Sequence, residues 1–144
     1  MYELKLVANL PKVKEASSGG ATNSPDAAYE ALKEIGTLAQ ECFVVLTLNG
    51  KNEIIGQHLI TLGLVDASLV AAREVFRPAI IDGAASIILA HNHPSGHTDP
   101  SAEDLRVTKK LIEAGEIIGI TVVDHLIIGK GYTSLREGGL AAFK

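Results

Sequence analysis

The sequence predicts a single α/β domain, and three observations point to this fold class. From residue 24 onward, segments with strand periodicity alternate with segments with helical periodicity. The chain has 144 residues, enough for one domain with a proper core, and its 47% hydrophobic and 21% charged residues are ordinary for a globular protein. The apolar run from Ser86 to Ala90 has the character of a buried central strand.

The elements follow in the order helix, hairpin, helix, strand, helix, strand and short strand. A capping serine, Ser24, comes before a proline and an acid, which are favoured in the first turn of a helix. The turn at residues 49–52 joins the first two strands into a hairpin. The predicted helices are 27–38, 68–80 and 102–115, and the predicted strands are 42–48, 53–62, 86–90, 120–128 and 132–135.

Residues 1–22 are predicted to be an N-terminal extension, and residues 23–144 to be the domain itself. The stretch from Glu15 to Asn23 contains a Ser-Ser-Gly-Gly run, which is typical of a flexible loop. The weak alternation over residues 2–7 is compatible with an edge strand. We find no internal repeat and no room for a second domain.

Composition argues against several classes of function. The net charge of −4, the pI of about 5.7 and the absence of Trp are unlike a nucleic-acid-binding surface, so we expect no direct contact with nucleic acid. The single cysteine, Cys42, excludes an internal disulfide and the His/Cys/Cys zinc site of nucleobase deaminases, and it reads as a core residue. Without an 18-residue apolar run or a signal peptide, we expect a cytoplasmic protein that does not cross a membrane.

The most informative motif is His-x-His-x7-Ser-x2-Asp, formed by His91, His93, Ser101 and Asp104. Two imidazoles and one carboxylate are ligands that zinc accepts. Three protein ligands leave one tetrahedral position open for water, which is the pattern of a catalytic site. The motif therefore predicts a zinc-activated hydrolase.

The predicted elements can bring the three ligands together. Side chains alternate across a strand, so His91 and His93 leave the same side at the end of strand 86–90, while Asn92 points the other way. Asp104 lies in the first turn of the next predicted helix. It has a second interpretation, because Ser101 and Asp104 also resemble a capping box, in which the acid is favoured by the helix dipole. Ser101 can cap this helix and also serve the chemistry.

These residues resemble the JAMM (MPN/JAB) zinc metalloprotease motif, and the surrounding sequence is closer still to the RadC-type, or UPF0758, branch. The resemblance covers about residues 24–140 and is specific, because several separated motifs agree in order and spacing. The similar segments are residues 71–76, 88–96, 124–128 and 132–140.

The resemblance implies a three-layer α/β/α, deaminase-like sheet of mixed strands, the JAB/MPN fold. It implies zinc bound by His91, His93 and Asp104, with water as the fourth ligand. Ser101 would stabilise the oxyanion formed when water attacks an amide carbonyl. The implied substrate is a protein or peptide cleaved at a peptide or isopeptide bond. A homodimer is compatible with the sequence, which carries no signal for the oligomeric state.

In JAMM peptidases, a glutamate on an earlier strand activates the water, and here the sequence departs from that pattern. On the strand 53–62, the position where the family has glutamate falls at His58 or Leu59, and Glu53 lies too near the preceding turn. His58 has three interpretations: the general base, a fourth metal ligand, or an ordinary strand histidine. The missing glutamate leaves open a second function, a catalytically silent metal-binding interaction module linked to DNA repair or mobile elements.

Asp124 and His125 form a second polar pair within an apolar strand. A hydrogen bond from one of them to a metal-bound histidine is one interpretation. A purely structural polar pair is the other, and the sequence favours it.

Overall fold

The computed structural model describes residues 24–63 and 70–143. The predicted extension at 1–22 and the first residues of the predicted helix 68–80 lie outside the described residues. The helical elements are α1 (Pro25–Leu32), the 3₁₀ turn η1 (Lys33–Thr37), α2 (Ala72–Ile81) and α3 (Ala102–Ile118). The strands are β1 (Cys42–Leu48), β2 (Ile54–Leu62), β3 (Ser86–Asn92), β4 (Thr121–Gly129) and β5 (Gly131–Ser134).

The described strands form one mixed sheet with the order β2-β1-β3-β4-β5. Strand β1 pairs antiparallel with both β2 and β3. Strand β3 is parallel to β4, and α3 connects them, while β5 returns antiparallel to β4. The mixed five-stranded sheet with its helices confirms the predicted α/β class.

Two apolar clusters, one on each face of the sheet, make the core. Strands β1 and β3 are buried along their whole length, as expected for central strands covered on both sides. On one face, Leu32 of α1 and Ile35 of η1 pack with Ile88 and Ala90 of β3. On the other face, α2 and α3 pack with the alternate β3 residues Ile87 and Leu89. Helices therefore cover both faces, giving the predicted α/β/α layering.

The first predicted helix is interrupted, because the structure changes from α1 to the 3₁₀ turn η1 at Lys33. Gly36 in this turn lies close to β4. A Cβ at Gly36 would be 2.9 Å from Ile128 Cγ2 and 3.0 Å from the Gly129 carbonyl oxygen. The close approach of η1 to the sheet is a tertiary contact, so the hydrophobic periodicity of residues 27–38 could not predict it.

Helix α3 is longer than predicted, with 17 residues ending at Ile118. The helix continues past Gly115 and is capped by Gly119, which has a left-handed conformation with φ 89°. Within the ranges 24–63 and 70–143, no helix is long and apolar enough to cross a membrane.

Candidate metal centre

The end of β3 directs both motif histidines toward the layer formed by α2 and α3. His91 follows Ile87 and Leu89 in the alternation of the strand, and those two residues pack on that layer. His91 is buried, whereas His93, just beyond the strand, is half-buried. Asn92 is also buried and makes its contacts with residues 38–42.

Helix α3 brings Asp104 to the two histidines, and the three side chains converge. The Nε2 atoms of His91 and His93 are 3.0 Å apart. His91 Nε2 lies 3.2 Å from Asp104 Oδ1, and His93 Nε2 lies 3.3 Å from Asp104 Oδ2. Ligands about 2.0–2.1 Å from a tetrahedral zinc ion are separated by about 3.3 Å. The spacing of these three groups therefore fits a single ion of that size.

Asp104 combines the two roles that the sequence left as alternatives. It is the N3 residue of a capping box, because the Ser101 N–H donates to Asp104 Oδ2 at 2.8 Å. The Asp104 N–H in turn donates to Ser101 Oγ at 3.0 Å. The same cap holds the carboxylate toward the histidines. The Ser101 oxygen only accepts in this cap, so the hydroxyl proton stays available for another acceptor.

A glutamate that the sequence analysis missed lies beside the two histidines. Ligand atoms of Glu41, His91 and His93 all lie within 4.8 Å of one another. Phe43 on β1 is paired with His91, so continuing the antiparallel register by two residues places Glu41 beside His93. Glu41 is half-buried. The only sequence signal for it is an acid directly before a buried strand, whereas the family pattern pointed to the strand 53–62.

Asn92, between the two histidines, fixes the segment that carries Glu41. Its Oδ1 accepts from the Cys42 N–H at 2.6 Å, and its Nδ2 donates to the Gln40 carbonyl at 3.0 Å. A longer contact of 3.4 Å joins Nδ2 to the Leu38 carbonyl. The amide therefore contacts the residues on both sides of Glu41. The end of β3 thus presents the two imidazoles on one side. On the other side, Asn92 anchors the backbone of the segment that carries Glu41.

The described contacts of His58 lie away from this cluster. His58 Nε2 is 2.6 Å from Asp82 Oδ2, which also accepts from the Thr47 hydroxyl at 2.7 Å. Burial raises the pKa of Asp82, but hydrogen bonds from Thr47 and His58 outweigh it and leave the pKa below its usual value. The structure brings Glu41, and not His58, to the histidine pair.

The loop after β3 fixes the orientation of His93. His93 Nδ1–H donates to the His97 carbonyl at 3.1 Å, because a carbonyl can only accept. The loop packs on β4 at Gly96, whose carbonyl accepts from the Lys130 N–H at 3.0 Å. A Cβ at Gly129 would lie only 2.4 Å from the Gly96 oxygen, so this packing requires glycine at position 129. With its proton on Nδ1, neutral His93 presents the lone pair of Nε2 to the cluster.

The electrostatics of the cluster favour a positive charge at its centre. Burial alone raises the pKa of Asp104, but the hydrogen bonds that His91 and His93 donate when Nε2 carries a proton outweigh it and hold the pKa well below its usual range. Contact with Asp104 raises the pKa of His93, against the opposing effect of burial. A buried carboxylate facing two imidazole nitrogens thus attracts either a proton or a metal ion.

The predicted pair Asp124 and His125 divides into two different environments. The Asp124 carboxylate accepts from the Ser134 hydroxyl at 2.6 Å and from the backbone N–H of Arg136 at 3.1 Å. Burial raises its pKa against these hydrogen bonds. Asp124 is therefore a structural polar residue that ties β4 to the end of β5.

His125, in contrast, contacts the candidate centre. Its Nε2 is 2.9 Å from His91 Nδ1, and its Nδ1 is 2.6 Å from the Thr108 hydroxyl. Burial lowers the pKa of His125 well below its usual value. The contact with His91 is the one that the sequence had treated as the less favoured interpretation of this pair.

Cys42 is buried in the core cluster beside α1, as the sequence predicted. Burial raises the pKa of its thiol to about 12, so the reactive thiolate is scarce at neutral pH. The cysteine therefore contributes packing to this site and no nucleophile.

Comparison with known proteins identifies one family. The sequence model of the RadC-like JAB domain family matches residues 22–140. The UPF0758 protein of Rubrobacter xylanophilus is 55% identical over 106 residues, covering 74% of this chain and 47% of that protein. The UPF0758 protein of Methanospirillum hungatei is 57% identical over 102 residues, covering 70% and 45%. That of Moorella thermoacetica is 50% identical over 119 residues, covering 82% and 52%. The chain thus spans about half the length of these relatives.

Proposed function

The chain belongs to the RadC-like JAB domain family, and we propose that it is a zinc-dependent hydrolase of the JAMM type that cleaves peptide or isopeptide bonds. One observation carries the proposal. The His91 and His93 Nε2 atoms are 3.0 Å apart, each lies 3.2–3.3 Å from one oxygen of the Asp104 carboxylate, and the Glu41 carboxylate is close to both histidines. A zinc ion held there would supply Lewis acidity and lower the pKa of a coordinated water to about 7.

The three ligands are suited to an open site. His91 and Asp104 are buried and held by hydrogen bonds, so their geometry does not depend on the ion. His93 is half-buried, which leaves one side of the cluster accessible. An open side is what a catalytic centre needs and a closed structural zinc site lacks.

Glu41 is proposed as the general base in place of His58. Its carboxylate lies within 4.8 Å of both histidine ligand atoms, close enough to reach a water at the same centre. It would accept a proton from the attacking water and return it to the leaving amine. A positioned base of this kind contributes about 10²–10⁴-fold to the rate.

Ser101 is proposed to stabilise the oxyanion. Its hydroxyl oxygen already accepts from the Asp104 N–H, so the remaining proton can be donated to the developing negative charge. Ser101 is exposed at the N-terminus of α3, where the helix dipole also favours an anion.

The second candidate function, a catalytically silent interaction module, was motivated by a missing glutamate. Glu41 provides a carboxylate beside the two histidines, so the hydrolase is the better supported proposal. A protein or peptide substrate is part of the proposal. A homodimer and a cytoplasmic location stay predictions.

The test separates metal binding from chemistry. Elemental analysis of the purified protein is expected to give one zinc per chain, and His91→Ala and Asp104→Ala are expected to lose it. Glu41→Gln is expected to keep the zinc but to lose about 10²–10⁴-fold in hydrolysis of a panel of peptide- and isopeptide-linked fluorogenic substrates. Glu34→Gln, an exposed glutamate on η1, is the matched control and is expected to behave like the wild type.

Two results would overturn the proposal. Zinc-free protein that hydrolyses the panel at the full rate would exclude the metal mechanism. Zinc-loaded wild type with no more hydrolysis than Glu41→Gln across the whole panel would favour the silent module.

A further inference from the structure

A continuous chain of buried hydrogen bonds runs from His91 to the backbone of Asp104. His91 Nδ1 contacts His125 Nε2 at 2.9 Å, and His125 Nδ1 contacts Thr108 Oγ1 at 2.6 Å. The Thr108 hydroxyl donates to the Asp104 carbonyl at 2.6 Å. This hydrogen-bond chain thus begins and ends on residues that are proposed to hold the metal. His125 and Thr108 have no role in the proposed chemistry.

The direction of this chain can be derived from its last contact. The Asp104 carbonyl has no proton to donate, so the single hydroxyl proton of Thr108 lies between the two oxygens. Toward His125, Thr108 can then only accept. His125 Nδ1 must therefore carry a proton and donate it to Thr108.

The proton on His125 Nδ1 determines which ring nitrogen of His91 carries a proton. His125 is 1% exposed, and its two ring nitrogens contact an imidazole and a hydroxyl, neither of which offers a negative charge to pair with a second ring proton. A neutral ring has one N–H, so its Nε2 accepts, and His91 Nδ1–H is the donor. Neutral His91 is left with its lone pair on Nε2, which faces His93 and Asp104.

We propose that His125 is a positioning residue of the metal centre, and that Thr108 holds it in the tautomer that keeps the His91 Nε2 lone pair directed at the ion. This inference rests on the proposed metal site. A carboxylate or carbonyl commonly accepts from the second nitrogen of a metal-bound histidine. Here the acceptor is a neutral imidazole, so the contact orients His91 without adding negative charge.

Thr108→Val removes the acceptor but keeps nearly the same shape. The buried Nδ1–H of His125 would lose its partner, and the ring could recover a hydrogen bond by moving the proton to Nε2. Nε2–H would then donate to His91 Nδ1, so the His91 proton would move to Nε2 and block the ligand atom. Loss of such partners typically lowers metal affinity 10–100-fold.

The experiment compares Thr108→Val with Thr108→Ser, which retains the hydroxyl. The control is Ser134→Ala, which removes another buried hydroxyl bond, to Asp124 Oδ2; the His125 backbone N–H binds the other oxygen, Oδ1, and the ring contacts of His125 are untouched. Dissociation constants for Co²⁺ and Zn²⁺ are measured by competition with a chromophoric chelator. The proton positions on the His125 ring are measured by ¹⁵N NMR of histidine-labelled wild-type protein, with and without zinc.

We expect a 10–100-fold weaker affinity for Thr108→Val, and affinities within about threefold of the wild type for Thr108→Ser and Ser134→Ala. We expect wild-type His125 to carry its proton on Nδ1. A proton on Nε2 in the wild type would overturn the inference, and so would a folded Thr108→Val protein with wild-type affinity. The wild-type spectrum decides the question even if Thr108→Val does not fold. Wild type that binds neither ion would instead contradict the proposed function.

Discussion

The substitution Asn92→Ala tests whether the residue between the two histidines anchors the segment that carries Glu41. Asn92 is 0% exposed, and its amide makes three contacts with the backbone of residues 38–42. Alanine retains the strand but removes all three contacts. We expect a large loss of stability together with local opening around Cys42.

The magnitude follows from the contacts. The Cys42 N–H is left without its partner at 2.6 Å, and an unsatisfied buried donor costs about 1–3 kcal/mol. The lost hydrogen bond to the Gln40 carbonyl at 3.0 Å contributes about 0.5–1.5 kcal/mol. The contact of 3.4 Å with the Leu38 carbonyl is too long to add much. Asn92→Ala is therefore expected to lower the free energy of unfolding by about 1.5–4.5 kcal/mol.

Urea unfolding of the metal-free protein measures this loss, and hydrogen exchange of the Cys42 amide measures the local opening. The matched control is Asn49→Ala. The Asn49 side chain also makes three hydrogen bonds, of 2.8–3.0 Å, but in the half-buried turn between β1 and β2. Water can replace those bonds, so the control is expected to cost about 1 kcal/mol and to leave exchange at Cys42 unchanged.

An anchoring role for Asn92 is refuted if Asn92→Ala loses no more stability than Asn49→Ala while the Cys42 amide exchanges at the wild-type rate. In that case the contacts of Asn92 would not hold the segment before β1. The position of Glu41 would then need another explanation.

Three further predictions concern the surroundings of the site. Gly129→Ala places a Cβ 2.4 Å from the Gly96 oxygen and is expected to destabilise the fold by about 1–3 kcal/mol in thermal or urea unfolding; unchanged stability would mean that the loop yields freely. His58→Ala breaks a partly exposed ion pair with Asp82 and is expected to lower the free energy of unfolding by at most about 1 kcal/mol, with zinc content and hydrolysis unchanged. A variant that keeps its zinc but loses hydrolysis would instead favour His58 as the general base. Because the folded pKa of Asp104 is depressed, its contribution to the stability of the metal-free protein is present above about pH 3.9 and is lost as the pH falls below it. Urea midpoints between pH 6 and pH 3 check this, and Asp104→Asn is expected to flatten that part of the profile.

The sequence by itself predicted the three residues of the candidate centre and most of the elements. His91, His93 and Asp104 lie within one strand, loop and helix, so their convergence depends on strand alternation and on a helix cap. Both are local rules that can be read from residue types and spacing. The interruption of the first helix at Lys33 escaped the prediction because Gly36 approaches β4, which is a tertiary contact.

Only the tertiary structure decided which distant residues meet the ligands. Glu41 precedes His91 by 50 residues, and it reaches the histidines because β1 lies beside β3 in the sheet. His125 meets His91 because β4 is the other neighbour of β3. The pairing of strands is set by the packing of the whole sheet, and residue spacing along the chain does not encode it. The sequence pattern on the second strand therefore pointed to His58, while the order of the strands brings Glu41 to the histidine pair.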